Sequence, residues 1–240
     1  MVYFEYKGKK SSDYFLTIEG NVSFGSASYD LSLEEVPGVD GDLAVSNQRL
    51  KGLDKTFPCR LRLPSNEKIE DVANDISNWL KTDVSWDDLF FSADPQFVYR
   101  ALYYEEYNVE RIVSFYGKTA LKFRIKPYKY FKDSLSPVEV TNGEYLTNKG
   151  TRPSKPLIRI EGAGDITIKF GSNQIRLKGV DQGIIVDLQA QVVTSLDGSR
   201  PEYDKVYTYP FPDFPVGRHR VTWTGDVTKV ELTPRWEVVV

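Results

Sequence analysis

The sequence predicts a mainly β protein that carries one amphipathic helix and divides into two domains. Aromatic side chains supply 13% of the 240 residues, and together with Val, Ile and Thr they favour pleated, half-buried strands over helices. Seventeen Gly and 13 Pro fall between short apolar runs, where they act as turn and breaker residues. Just one stretch repeats its apolar residues at helical spacing.

The first strand candidates are residues 15–18, 31–36 and 57–63, short runs bounded by turn residues. The helix follows. Over residues 66–81, Ile69, Val72, Ala73, Ile76, Trp79 and Leu80 recur every three or four positions and define one apolar stripe. Pro64-Ser65 offers an N-cap oxygen, and Glu67, Glu70 and Asp71 put negative charge near the positive end of the dipole. Such a helix covers one apolar sheet face. Strands resume at 96–104 and 111–116. In Leu121-Lys122-Phe123-Arg124-Ile125-Lys126 the alternation has period two, with apolar side chains on one face and cations on the other.

Turn residues concentrate at 133–137 and 148–156, which predicts a first domain of residues 1–135 and a second of 136–240. The second holds 13 basic and 13 acidic side chains, so the excess negative charge belongs to the first. Its strand candidates are 157–161, 166–170, 174–177, 184–188, 221–224 and 227–232. Gly-containing turns separate them and no helical period intervenes, the pattern of a β-sandwich or jelly roll.

Composition excludes several functions. A formal charge of −3 provides neither the field of a nucleic-acid binder nor an acidic tail. No apolar run is long enough for a spanning helix, and the opening Met1-Val2-Tyr3-Phe4-Glu5-Tyr6-Lys7 lacks a signal segment, so folding in a reducing cytoplasm is expected. The lone Cys59 cannot build a disulfide within the chain or a thiolate zinc cage and reads as a small buried hydrophobe. The lone His219, between Arg218 and Arg220, removes HExxH chemistry and reads as an exposed side chain. No G-x-S-x-G elbow is present. Thirty-four acidic residues leave two-carboxylate glycoside cleavage formally open but single out no pair. No catalytic residue, metal site, cofactor or ligand-binding residue is assigned.

Charge is segregated within the first domain. Residues 66–94 hold eight acidic and two basic side chains, whereas 111–132 hold seven basic and no acidic ones. On one reading these are two solvated faces. On the other, the acidic helix region of one subunit meets the basic strand of the next in a head-to-tail ring whose register is fixed by charge. The interface candidates are then Glu67, Glu70 and Asp71 against Arg111, Lys122, Arg124 and Lys126. Nothing beside that strand resembles a recognition helix or an RNA-binding signature.

Val36-Pro37-Gly38-Val39-Asp40-Gly41-Asp42-Leu43 has part of the look of a calcium loop, but two aspartates do not complete the ligand set. It reads instead as a tight connection with Gly38 or Gly41 at positive φ. Four tryptophans and 15 tyrosines invite a sugar-stacking reading. Trp79 on the helical stripe and Trp223 in an alternating strand are placed in the core instead; Tyr99, Tyr103, Tyr104 and Tyr107 stay unassigned.

Several fragments form a familiar set. They are the Val36–Leu43 loop, Ile76-Ser-Asn-Trp-Leu80, Leu89-Phe-Phe-Ser-Ala-Asp-Pro-Gln-Phe97 and Leu121-Lys-Phe-Arg-Ile-Lys-Pro-Tyr-Lys-Tyr130. Asn148-Lys-Gly-Thr151, Pro153-Ser-Lys-Pro-Leu-Ile158, Glu161-Gly-Ala-Gly-Asp-Ile166, Tyr209-Pro-Phe-Pro212 and Pro234-Arg-Trp236 follow. In order and spacing the chain resembles, over almost its whole length, the distal tail protein (Dit) family of siphophages of Gram-positive bacteria. The resemblance implies a hexameric ring at the far end of a phage tail, with a first-domain belt around a DNA channel and a galectin-like sandwich projecting outward. Implied partners are the tail-tube protein, the tape-measure end, the tail-associated fibre or lysin protein and, in many relatives, receptor-binding proteins. It implies no catalytic residue and a place in the virion after assembly in the host cytoplasm. The alternative is a lectin-like adhesion module that recognises the host surface through exposed aromatics.

Overall fold

The computed structural model describes residues 2–240, which separate into two compact units: the chain up to Lys129 with Val239 and Val240, and Tyr130–Val238. The first contains β1 (Phe4–Tyr6), β2 (Lys9–Lys10), β3 (Leu16–Ile18), β4 (Tyr29–Glu35), β5 (Asp42–Leu50) and β6 (Leu53–Arg62). The helix α1 (Ile69–Leu80), β7 (Asp87–Phe91), β8 (Phe97–Leu102), β9 (Glu110–Val113) and most of β10 (Tyr116–Phe131) complete it. The main sheet runs in the order β2-β1-β7-β8-β10-β6-β3, with β9 also on β10, while β4 and β5 form a separate hairpin.

Period-two alternation sets the inward face. Phe57, Cys59 and Leu61 of β6 and Leu121, Phe123 and Ile125 of β10 point into the core, and the apolar stripe of α1 (Ile69, Val72, Ile76, Trp79, Leu80) closes over them. Each such side chain, fully buried, contributes about 1.5–3 kcal/mol. Trp79 lies between Tyr14 and Phe4, with ring centroids 4.5 and 5.7 Å away, and its indole N–H donates to the Tyr6 carbonyl at 2.9 Å. Burial pushes the Cys59 thiol up to about 12, so it is inert packing. The helix starts later than its apolar period predicts. Lys68 occupies the N-cap position without a side-chain cap, Ser65 stands too early to serve, and Glu70 and Asp71 fill the first turn.

The second unit contains β11 (Val138–Val140), β12 (Tyr145–Asn148), β13 (Leu157–Phe170), β14 (Asn173–Val180), β15 (Gly183–Asp187), β16 (Val192–Ser195) and β17 (Gly217–Thr233); β18 (Glu237–Val239) ends the chain. Four of the expected short strands are in fact two long ones. Residues 157–161 and 166–170 belong to β13, and 221–224 and 227–232 to β17. Both bend where the glycines suggested turns, and their pairing shifts register there. A Cβ on Gly162 would stand 2.3 Å from the Asp226 carbonyl oxygen, and one on Gly225 2.4 Å from that of Asp165.

The bend lets the two strands serve two layers, one ordered β11-β17-β13-β15-β16 and the other β12-β17-β13-β14. Ile158, Ile160, Val230 and Leu232 from one layer and Ile166, Ile168, Phe170 and Val221 from the other share one buried core, which makes the unit a β-sandwich. In this unit Asp187 accepts from the two terminal Arg235 guanidinium nitrogens at 2.7 and 3.0 Å and from the Gln189 and Ala190 amides at 2.9 and 3.0 Å. His219 is half-buried rather than exposed, with Nε2 2.9 Å from the Val216 carbonyl and its ring edge-on to Phe214.

Candidate assembly surface

The β4–β5 hairpin is the feature of the first unit that its own core does not explain. Register pairs Leu31 with Ser46, Ser32 with Val45, Leu33 with Ala44 and Glu34 with Leu43. Leu31 and Leu33 therefore lie on one face and Leu43 and Val45 on the other. All four are exposed, Leu33 at 61% and Leu43 at 57%. Among the described residues β4 and β5 pair only with each other, so both outer edges keep free N–H and C=O groups. An isolated two-stranded hairpin is at best marginally stable in water. Its base is tied down by Asp30, which takes Arg49 at 2.6 Å and Lys51 at 3.3 Å.

The connecting turn is the Val36–Leu43 segment, with Gly38 and Gly41 at φ +82° and +85°, as a tight connection requires. The tip is apolar and acidic at once. Val36 and Val39 are exposed, Glu35 and Asp42 stand directly opposite one another, and Asp40 lies between them in sequence. Like charges facing across a hairpin are destabilising.

A second exposed apolar patch lies where β9 turns into β10. Ile112, Val113 and Phe115 are exposed, and every residue of β9 faces solvent. Sequence reasoning marked residues 111–116 as a strand for their alternation but did not single out these side chains, nor Phe24, Leu43 or Val45. The signal was available in the pattern. A strand predicted at 31–36, followed by the turn Pro37-Gly38-Val39-Asp40-Gly41, demands a partner, and Leu43 and Val45 alternate in the segment after it.

The charged candidates are largely satisfied inside one chain. Arg111 pairs with Glu70 at 2.9 Å, so the basic strand region and the acidic helix already meet within the subunit. On the outward face of β10, Lys122 reaches Glu105 at 2.6 Å and Asp54 at 3.7 Å, and Arg124 reaches Asp54 at 2.9 Å. The hydrogen bond it donates to Glu105 holds the Lys122 ammonium above its ordinary range. Lys126 sits over the exposed Trp86 ring, 5.1 Å from its centroid. Asp71 is exposed and Glu67 half-exposed. Exposed ion pairs are each worth only about 0–1 kcal/mol, so this network adds little to the stability of the unit.

The tyrosine cluster divides by depth. Tyr99 and Tyr103 are core, Tyr107 is half-buried with its hydroxyl bonded to the Ala73 carbonyl at the back of α1, and Tyr104 is exposed. Trp223 packs half-buried against the second core.

The fold is similar to that of chains in solved phage hub and baseplate structures. The SPP1 Dit (gp 19.1) protein, described as a paradigm of the hub adsorption apparatus in phages infecting Gram-positive hosts, matches with a TM-score of 0.72 at 17% identity, over 97% of this chain and 98% of that one. A chain of the phage P2 baseplate in its calcium-activated conformation matches with a TM-score of 0.61 at 8% identity, over 100% and 99%. The strontium-activated baseplate gives 0.58 at 9%, over 97% of both chains. No protein-family model and no curated protein matches the sequence. The fold that the resemblance to Dit proteins led one to expect is the fold observed.

Proposed function

We propose that this chain is a structural, non-enzymatic hub subunit of a phage tail tip. Six copies close into a ring around a channel for DNA, joining the tail-tube protein and tape-measure end to the tail-associated fibre or lysin protein, and receptor-binding proteins dock at the side. Residues 1–135 form the belt and residues 136–240 the outward galectin-like sandwich. The observation that carries this reading is end-to-end likeness of fold to hub and baseplate chains, across both units at once.

The hairpin supports it from physics. A ring of identical subunits needs two unlike, complementary patches on each. The β4–β5 arm and the β9–β10 patch are two such apolar surfaces, exposed in the single subunit. In the ring, Glu67, Glu70, Asp71, Arg111, Lys122, Arg124 and Lys126 set orientation, and the apolar side chains supply the attraction.

Light scattering on the purified chain, alone and mixed with the tail-tube protein, tests the ring: a sixfold mass is expected. Electron microscopy of virions with the chain labelled is expected to place it at the distal end of the tail; label elsewhere refutes the proposal. A lectin reading has one observation in its favour, the exposed Tyr203, Tyr207 and Tyr209 of the second unit. Fold likeness alone does not make a sugar site. Binding to isolated cell walls that is lost on Tyr207→Ala and Tyr209→Ala would establish it.

A further inference from the structure

Lys55 is the one lysine on the inward face of β6. Its side chain is 4% exposed, in line with Phe57, Cys59 and Leu61. Its ammonium sits among four aromatic rings, 4.3 Å from the centroid of Phe24, 5.0 Å from Tyr99, 5.4 Å from Phe91 and 5.7 Å from Phe57. No described carboxylate lies within ion-pair distance of it. Asp94, the nearby acid, is already engaged: its Oδ2 takes Lys129 at 2.9 Å and the Tyr99 hydroxyl at 2.6 Å. Asp54, which also lines the space beside Lys55, is engaged as well, taking Arg124 at 2.9 Å, so the Lys55 ammonium has no ion-pair partner among the described residues. Ring faces attract the cation but do not accept its three N–H donors as an oxygen does, and a buried charge ordinarily has a partner.

The space for a partner is there. A pocket of ≈ 110 Å³ adjoins Lys55, lined among others by Phe24, Gly25, Asp54, Ile125, Lys129 and Val240. At about 30 Å³ per water, it has room for a few non-hydrogen atoms. Ammonium and hydroxyl at one side and aromatic and aliphatic walls at the other suit a group with a charged head and a short apolar stem. A carboxylate matches the one ammonium of the pocket that has no ion-pair partner among the described residues.

We propose that this pocket is a carboxylate-binding site in which Lys55, with Lys129 behind it, takes the carboxylate oxygens and Phe24 covers the stem. The carboxylate comes either from a free small acid or from a second copy of the chain. For the second source the structure offers Glu35 and Asp42, opposed at the hairpin tip; that source alone rests on the ring reading above.

The test uses the full chain at pH 7, melted in 100 mM sodium acetate and in 100 mM sodium chloride. Acetate is expected to raise Tm by about 2–4 °C over chloride, and Lys55→Met, whose apolar side chain suits the aromatic cage, is expected to erase the difference. Line broadening of ¹³C-acetate by the unsubstituted protein gives a reading that does not depend on the variant's folding. Equal Tm in the two salts with no broadening overturns the proposal, as does an undiminished acetate effect in folded Lys55→Met.

Sedimentation of Lys55→Met, of Glu35→Gln/Asp42→Asn and of the combined variant identifies the source. Equal, non-additive losses of about tenfold in self-association mark the second copy as donor. Unchanged association with an intact acetate effect marks a free acid. A chain that never self-associates, yet binds acetate through Lys55, keeps the pocket and removes the ring.

Discussion

Asp187 shows how a single residue carries pH dependence. Burial works to raise its pKa, yet Arg235 and the amides of Gln189 and Ala190 outweigh burial and hold it below the ordinary carboxylate value. A carboxyl depressed on folding stabilises the native state above the unfolded pKa of about 3.9, and that stability is lost as pH falls through the lower folded value. Asp187→Asn is therefore expected to cost about 1–3 kcal/mol at pH 7. The difference from the unsubstituted protein should shrink on acidification below about pH 4, as urea melts at stepped pH will read. Gly225 makes a sterically sharper prediction. With φ at +106° and the Asp165 carbonyl 2.4 Å from where a Cβ would sit, Gly225→Ala is expected to destabilise the second unit by about 2–4 kcal/mol, measured by the same melts.

Among the elements, the hairpin and the helix respond oppositely to change. Because α1 buries five apolar side chains, its stripe was legible in the sequence, while its start was not: capping there does not use the Ser the pattern offered. The long bent strands were legible only in pieces, since a Gly inside a strand and a Gly in a turn look the same until the opposing carbonyl is known. Lys55 was hidden for a different reason. The alternation of Phe57, Cys59 and Leu61 extends back to it, but a cation on a core-facing position goes against the ordinary pattern of burial. The hairpin was half legible, as one strand and a turn. Since its four large apolar side chains reach no core, replacing residues 33–43 with Asn-Gly is expected to leave the Tm read by circular dichroism within about 2 °C. The same change should abolish self-association in sedimentation.

At the level of the whole molecule, each unit has its own closed core, the mark of a domain that supports its own fold. Ile160→Ala, which empties space in the second core, is expected to cost about 2–4 kcal/mol and to speed hydrogen exchange in β13 and β17. Amides of β6 and β10 between residues 53 and 62 and between 116 and 125 should keep their protection. Fold class came through in the sequence because it follows from composition and periodicity. The proposed contact surface did not, because exposed apolar residues disclose themselves only once the core is known. That same projecting arm gives the subunit a limited shelf life: in solution the bonds around Val39-Asp40 are the natural first cut for a digestive enzyme. In the proposed ring neighbours close over them and the cut should slow, so nicking time would become a stopwatch for how far a preparation has progressed from loose parts to a finished particle.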